Sequence, residues 1–571
     1  EAPIHTPNID SLADGSTILR NYYLHPLCGP SRCSLLTGRT AHSMGNPFPM
    51  TKGGGLDPKY NTIAHELKAR GYQNSFIGKW GVDYPTIPPE KQNLRNHLTF
   101  NGDGPGGGRT PRERGFDAFY GLYSSGHNHY TKQIIFPAAI DFHRHNITHI
   151  LDYPDIDLPL EHSTRVFGNE AVRIIEEEWG REEKPGFIHL SFTAPHDPLQ
   201  VDDEYVSADT KCGKIKNWRR RLFCGMVVMV DEAVGNVTKA LKKKGLFENT
   251  IIFFSTDNGG APSVGGYNYP FRGEKSGVNE GGMRGPGFLR FPSSLPFSFS
   301  GLYENLFHIS DITPTVLSVI DKARGEKSHH SILGDDIDGV DHSDAIFNNQ
   351  PAPRNNLVAE YNLGFGYAAY VQGNYKLILG RRGRGEVFNE PEGRFYDRDG
   401  RWKYMIEELF CDIIDLGLGP NWFVFPWALR AKVDQWVEQW HGSKEFLEAQ
   451  KKQFDSFQNL DFEDGLPLSV DDLQRMREVG VFLYDLSNDI SESVNIAEQH
   501  PDLVEMMIKT AQDQLKGGPP HAIAVQKQFV EFMFVVDILI GIVIFLTLLS
   551  VFVFYILVKR LFFSSAKQKT N

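Results

Sequence analysis

Cysteine is scarce in this chain: five residues in 571, at Cys28, Cys33, Cys212, Cys224 and Cys411. So few exclude a disulfide scaffold, and the odd number leaves at least one unpaired. No Cys-x-x-Cys pair and no Cys/His zinc spacing occurs, which argues against a structural zinc site. Basic charge is short as well. The net charge of −12 argues against a nucleic-acid surface. Long blocks of like charge are lacking, and Lys242-Lys243-Lys244 reads as the solvated end of a helix. The glycine-rich stretch 102–108 has no phosphate-loop lysine after it, so it is a loop without a catalytic role. Glu1 opens the sequence with neither an initiating Met nor an apolar leader, so an exported chain would be processed, trimmed or incomplete.

What is present is globular in composition, 40% apolar and 23% charged, with length enough for two sizeable cores. Residues 538–558 contain no charge and are mostly Ile, Leu, Val and Phe; about 20 such residues cross a ~30 Å hydrocarbon layer. Lys559, Arg560, Lys567 and Lys569 follow. This predicts a transmembrane helix over 533–558, a cytoplasmic basic tail over 559–571, and a luminal or extracellular chain before them. The compartment is then the secretory pathway, cell surface or lysosome. The sequons Asn146-Ile147-Thr148 and Asn236-Val237-Thr238 are candidate glycosylation sites that fit an exported chain.

Three apolar runs, 74–77, 186–192 and 250–254, each stop at a polar cluster: Gly78-Lys79-Trp80, Pro195-His196-Asp197 and Asp257-Asn258-Gly259. The runs read as buried strands. Helical patterns at 62–70, 164–179 and 221–244 precede them. Alternation of this kind predicts an α/β fold with a mostly parallel sheet sandwiched by helices. Ligands in such folds collect beyond the carboxyl ends of the strands, where all three clusters lie. The expected organisation is a catalytic domain over 1–350 and a smaller α+β domain with an antiparallel sheet over 351–525. Strands in the latter are expected at 370–379, paired around Gly373-Asn374, and at 481–486. An aromatic insertion at 400–475 holds Trp402, Trp422, Trp427, Trp436 and Trp440. It is read as an insertion burying its own aromatics, ahead of a substrate platform or a membrane-facing hairpin.

Cys28-Gly29-Pro30-Ser31-Arg32 followed by Ser34-Leu35-Leu36-Thr37-Gly38-Arg39 resembles the sulfatase signature. Similar stretches include His5-Thr6-Pro7-Asn8-Ile9-Asp10, Gly78-Lys79-Trp80, His196-Asp197-Pro198-Leu199-Gln200, Ser255-Thr256-Asp257-Asn258-Gly259-Gly260, and Arg272-Gly273-Glu274-Lys275 leading to Glu280-Gly281-Gly282. The resemblance covers about residues 3 to 500 with gaps and is greatest to the arylsulfatase B (N-acetylgalactosamine-4-sulfatase-like) group. It implies an alkaline-phosphatase-like fold and hydrolysis of sulfate esters, glycosaminoglycans among them.

The resemblance further implies that Cys28 is oxidised to formylglycine by the formylglycine-generating enzyme. A hydrated aldehyde offers two hydroxyls on one carbon: one attacks sulfur, and the other expels sulfate. The segment 31–37 reads as the first turns of a helix with Pro30 near its start, which sets Cys28 at an anion-favouring N-terminus. Arg32 would hold the hydrate; Arg39 would brace the loop or form a surface ion pair. Asp257 and Asn258, with modified Cys28, are the expected calcium ligands. Lys79, His196 and Lys275 are expected on the sulfate oxygens, with Lys275 or His196 protonating the leaving alcohol.

Two departures stand out. Family members open with an apolar strand ending in Asp-Asp, which supplies further metal ligands, and this sequence starts after that point. After Lys79-Trp80 the family has a histidine; here it is Gly81, which cannot move a proton, and loss of a general base costs roughly 10²–10⁴-fold in rate. The alternative reading is therefore a catalytically impaired sulfatase-like cell-surface protein that binds sulfated glycans. A related phosphohydrolase with a Ser or Thr nucleophile and two zinc ions is disfavoured by the Cys motif and the lack of His-rich ligands.

Overall fold

A computed structural model describes residues 4–47, 55–83, 109–134, 139–145, 153–154, 160–180, 184–295, 299–326, 332–334, 336–363, 365–382 and 470–515. The aromatic insertion, the transmembrane segment and its tail, Asn146, Cys411 and the loop 102–108 lie outside them. Among the described residues no helix is long and apolar enough to cross a membrane.

In chain order, helix α1 (Pro7–Asp14) leads to strand β1 (Thr17–Tyr23), α2 (Cys28–Thr37), α3 (Ile63–Ala69), β2 (Gln73–Lys79) and β3 (Ala118–Leu122). Short strands β4 (Gln133–Ile134), β5 (Ala139–Ile140), β6 (His143–His145) and β7 (Tyr153–Pro154) follow, then α4 (Ser163–Arg173), β8 (Gly186–Ser191), α5 (Asp203–Val206), α6 (Trp218–Lys243) and β9 (Ile252–Ser255). After α7 (Glu280–Met283) come β10 (Gly287–Arg290), β11 (Gly301–His308), α8 (Ile312–Arg324) and α9 (Ser343–Phe347). Strands β12 (Asn356–Asn362), β13 (Tyr367–Gln372) and β14 (Tyr375–Gly380), helix α10 (Val470–Val479), strand β15 (Val481–Asp485) and helix α11 (Pro501–Leu515) complete the described chain.

The helix–strand alternation is as expected, but the single mostly parallel sheet is not. The strands form mixed sheets. One has the order β7-β6-β3-β2-β8, with β2 parallel to both β3 and β8 and the outer pairs antiparallel. A second has the order β11-β1-β10-β9; β1 runs parallel to β11 and antiparallel to β10, which pairs antiparallel with β9. The motif strands β2 and β8 are thus neighbours, whereas β9 belongs to the other sheet. A short apolar run specifies burial but neither partner nor direction, which is why periodicity misread this arrangement. The expected antiparallel sheet is present as β12-β13-β14-β15, with the hairpin at Gly373-Asn374.

Helices cover both faces of the first sheet. Ile77, Tyr120 and Leu122 pack on Val166, Phe167, Ala171 and Ile174 of the α4 segment. Phe76 and Phe119 face the other way, toward Leu36 of α2, Ile63 and Leu67 of α3, and Leu317 and Ile320 of α8. These apolar contacts fix α2 against the sheet, since buried area of this kind is the main folding force. The sheet is tight where β2 meets β8: a Cβ on Gly78, at φ +102°, would stand 1.9 Å from the Ser191 carbonyl oxygen. Only glycine fits there. The packing of β2, β8 and α2 brings Lys79, Ser191 and Cys28 to one end of the sheet.

Candidate active site

Cys28 is the first residue of α2, and Leu27 before it makes no side-chain cap. The thiol therefore stands at a helix start, where free N–H groups and the helix dipole favour negative charge. It is half-buried and unpaired; Cys33 is also unpaired but fully buried, and Cys212 and Cys224 form a disulfide. Burial pushes the Cys28 thiol up, but Lys79, Lys275 and Arg32 outweigh it and hold the thiol below its ordinary value. The ground around Cys28 is electropositive, the setting that makes a cysteine reactive.

Arg32 lies one helical turn on and spans two sheets. Its Nη1 donates to the Lys79 carbonyl oxygen at 3.0 Å and to Ser191 Oγ, while Nε and Nη2 donate to Asp257 Oδ2 at 2.9 and 2.7 Å. Ser191 Oγ also donates to the Lys79 carbonyl oxygen at 2.8 Å. Asp257, just past β9, is pushed up by burial, but Arg32, Lys79 and Lys275 bring its carboxyl far below the usual range. Lys79 is 2% exposed, and burial together with Arg32 lowers its ammonium pKa despite the pull of Cys28.

His196 and Lys275 form a second linked pair. Lys275 Nζ donates to His196 Nε2 at 3.1 Å. His196 Nδ1 faces the Asp197 carbonyl oxygen at 2.8 Å and Asp197 Oδ1 at 3.0 Å. Burial and the Lys275 charge lower the imidazole pKa although Asp197 opposes them. For Asp197 the balance is reversed: burial raises its pKa, and His196 and Lys275 bring it down to about 2.

Cys28, Arg32, Lys79, His196, Asp257 and Lys275 are thus brought together and coupled by hydrogen bonds and electrostatics. Gly81 lies against the same group at φ +60°; a Cβ there would stand 3.1 Å from Lys79 Cε and 3.3 Å from Arg32 Cδ. Arg39 is buried and takes both expected parts: Nη2 donates to the Leu333 carbonyl oxygen at 2.5 Å and pairs with the exposed carboxylate of Asp336. Asn236 is exposed on α6. Two contributors escaped the sequence reading. Ser191 carries no motif signal, and Asp197 stood in a quoted motif without a role.

Calcium takes about 6–8 oxygens. Asn258 Oδ1 is buried with no hydrogen-bond partner, which fits a cation ligand. The rest of the described set does not fit: Asp257 Oδ2 is committed to Arg32, and three cationic side chains crowd the same space. Among the described residues no group of three or more His, Cys, Asp or Glu side chains is placed to hold a metal.

The family model described as Sulfatase matches residues 1–322. The chain belongs to the sulfatase family. It is 32% identical over 362 residues to arylsulfatase J of Mus musculus, covering 62% of this chain and 53% of that protein. It is 26% identical over 340 residues to N-acetylgalactosamine-6-sulfatase of Mus musculus, covering 55% and 57%. The chain thus spans about half the length of the curated relatives it matches. Among solved structures it is similar to Ps i-CgsB in complex with k-i-k-neocarrahexaose, with TM-score 0.62, 21% identity and coverage of 94% and 92%. PsFucS1 sulfatase from Pseudoalteromonas sp. gives TM-score 0.57 at 19% identity, covering 89% and 84%. At such identities the likeness concerns the fold, a sulfatase, alkaline-phosphatase-like one with mixed sheets and a separate antiparallel sheet.

Proposed function

We propose that this sulfatase-family chain is an arylsulfatase-type sulfuric ester hydrolase whose nucleophile derives from Cys28. One observation carries the reading: an unpaired thiol at the start of α2, ringed by Arg32, Lys79 and Lys275, with Lys275 bound to a lowered-pKa histidine. Formylglycine at position 28 would supply an aldehyde hydrate, one hydroxyl to attack sulfur and one to release sulfate. Lys79 and Lys275 offset the charge of the sulfate oxygens, and Arg32 orients the nucleophile end. The Lys275–His196 pair presents a proton to the departing alcohol oxygen.

The calcium ion that the family resemblance implies at Asp257, Asn258 and the residue at 28 would need the Asp257 carboxylate released from Arg32, and no step above runs through it. Loss of thermal stability of the full chain on chelation is the check. The names of the relatives point to sulfated glycans as substrates. The formylglycine-generating enzyme would be an obligatory partner. The segment 533–558 would anchor the chain with its catalytic part luminal or extracellular, and Asn146 and Asn236 would carry glycans. The Cys212–Cys224 disulfide supports that compartment.

Mass spectrometry of the Cys28 peptide from secretory-pathway material tests the core of the reading. Formylglycine is expected, and Cys28→Ala should abolish aryl sulfate hydrolysis. Full turnover by Cys28→Ala would sink the mechanism. Gly81 supports a second reading, in which a sulfatase-like surface protein binds sulfated glycans; unmodified Cys28 with retained glycan affinity would select it.

A further inference from the structure

Lys275 sits on a loop between Arg272 and Glu280, and several backbone contacts shape it. Lys275 N donates to the Gly260 carbonyl oxygen at 3.2 Å, Ser276 N to that of Pro26 at 2.8 Å, and Gly281 N to that of Arg272 at 2.6 Å. Both ends of the loop also meet one residue more than 200 positions away. Arg272 Nη1 donates to the Glu492 backbone oxygen at 2.9 Å, and Glu280 N donates to Glu492 Oε2 at 2.7 Å. Glu492 therefore grips the base of the loop from both sides.

The grip extends into the antiparallel sheet. Lys376 Nζ, on β14, lies 3.1 Å from Glu492 Oε1 and 2.8 Å from Glu280 Oε1. All three side chains are fully buried. Tyr23 Oη donates to Glu280 Oε2 at 3.1 Å, and Arg284 Nη1 lies 3.2 Å from the same oxygen.

Position 492 is a poor place for glutamate on local grounds. Its φ of +52° is in the left-handed region, where a glycine would sit without strain. Burying a carboxylate adds a desolvation cost. Strain held at a buried ionic contact points to a role outside local folding. What the side chain gains there is its hold on Glu280 and Lys376.

We propose that Glu492 is a positioning residue for Lys275, fixing the loop base so that the ammonium stays in reach of His196 and the substrate. The inference rests on the function proposed above only in giving Lys275 a part in turnover. The test uses the full chain with Glu492→Gly, Glu492→Gln, Lys275→Ala and the Lys275→Ala/Glu492→Gly double variant. Two readouts are taken: kcat and KM with an aryl sulfate, and the acylation rate of the Lys275 amine by mass spectrometry.

Glu492→Gly should lower kcat by about 10- to 100-fold, the scale of small misplacements at a reacting centre. It should also speed Lys275 acylation, and it should cost less than about twofold more in the Lys275→Ala background, since two changes acting through one group are not additive. Glu492→Gln, whose amide oxygen still accepts from Glu280 N but no longer pairs with Lys376, should fall between wild type and Glu492→Gly. The proposal is overturned if Glu492→Gly keeps wild-type kcat and Lys275 reactivity, or if the two losses add in full. Should the wild-type chain cleave no sulfate ester, the functional reading fails, and the acylation rates alone decide the positioning role: a faster rate upholds it, an unchanged rate removes it.

Discussion

Lys275 Nζ donates to His196 Nε2 at 3.1 Å, which makes that ring nitrogen an acceptor. The other ring nitrogen, Nδ1, faces the carbonyl and carboxylate oxygens of Asp197 and so carries the imidazole proton. With burial and Lys275 both lowering its pKa, His196 is neutral at physiological pH. In the proposed reaction Lys275 is the group that would give the proton, and its contact with His196 holds it in place.

Lys275→Ala should consequently hurt poor leaving groups most. Loss of a general acid costs on the order of 10²–10⁴-fold, and the full amount is expected for an alkyl or sugar sulfate. A nitrophenyl sulfate, whose leaving oxygen needs little protonation, should lose far less. Measuring kcat/KM for both ester types checks this. Equal losses would mean that Lys275 only binds sulfate.

Gly81→His would install the histidine that the sulfatase resemblance implies after Lys79-Trp80, but the backbone opposes it. The φ of +60° and the 3.1–3.3 Å approaches to Lys79 and Arg32 predict strain on the order of 1–3 kcal/mol. Thermal unfolding should show a lower Tm, with no gain in aryl sulfate turnover. An active, undiminished Gly81→His protein would mean the loop is freer than its contacts imply.

The histidines behind the site set an acid limit on stability. His129 and His162 stack with centroids 4.6 Å apart, and burial pushes them down to about 3 and about 4; His127, buried beside them, is also held well below its ordinary value by burial. Between the unfolded value near 6.5 and these folded values, the unfolded chain binds more protons. Stability must therefore fall as pH drops below about 6.5, by roughly 2 kcal/mol at pH 5 for His162 alone. Urea unfolding at pH 7.5 and pH 5 gives the measurement, and an equal or higher midpoint at pH 5 would contradict it.

Much of the site was legible because local chemistry announces itself. Strand ends carrying Lys79, His196 and Asp257, and a helix opened by Cys28 and Pro30, follow from short-range pattern and turn chemistry. Sheet direction was not legible, since the run 252–255 is equally apolar beside a parallel or an antiparallel neighbour. Glu492, Lys376 and Ser191 escaped for another reason. Their roles come from contacts across 96 to 220 positions, which no local window samples. Arg39 was ambiguous because an arginine's burial depends on what the fold places over it.

Arg32 holds its guanidinium against Asp257 on one side and against the Lys79 and Ser191 oxygens on the other. An anion that drew the guanidinium toward itself would hand the carboxylate back to any nearby cation. Because such help is reciprocal in free energy, oxyanion and cation would each tighten the other's hold, and affinity for either should be measured with the other both present and withheld.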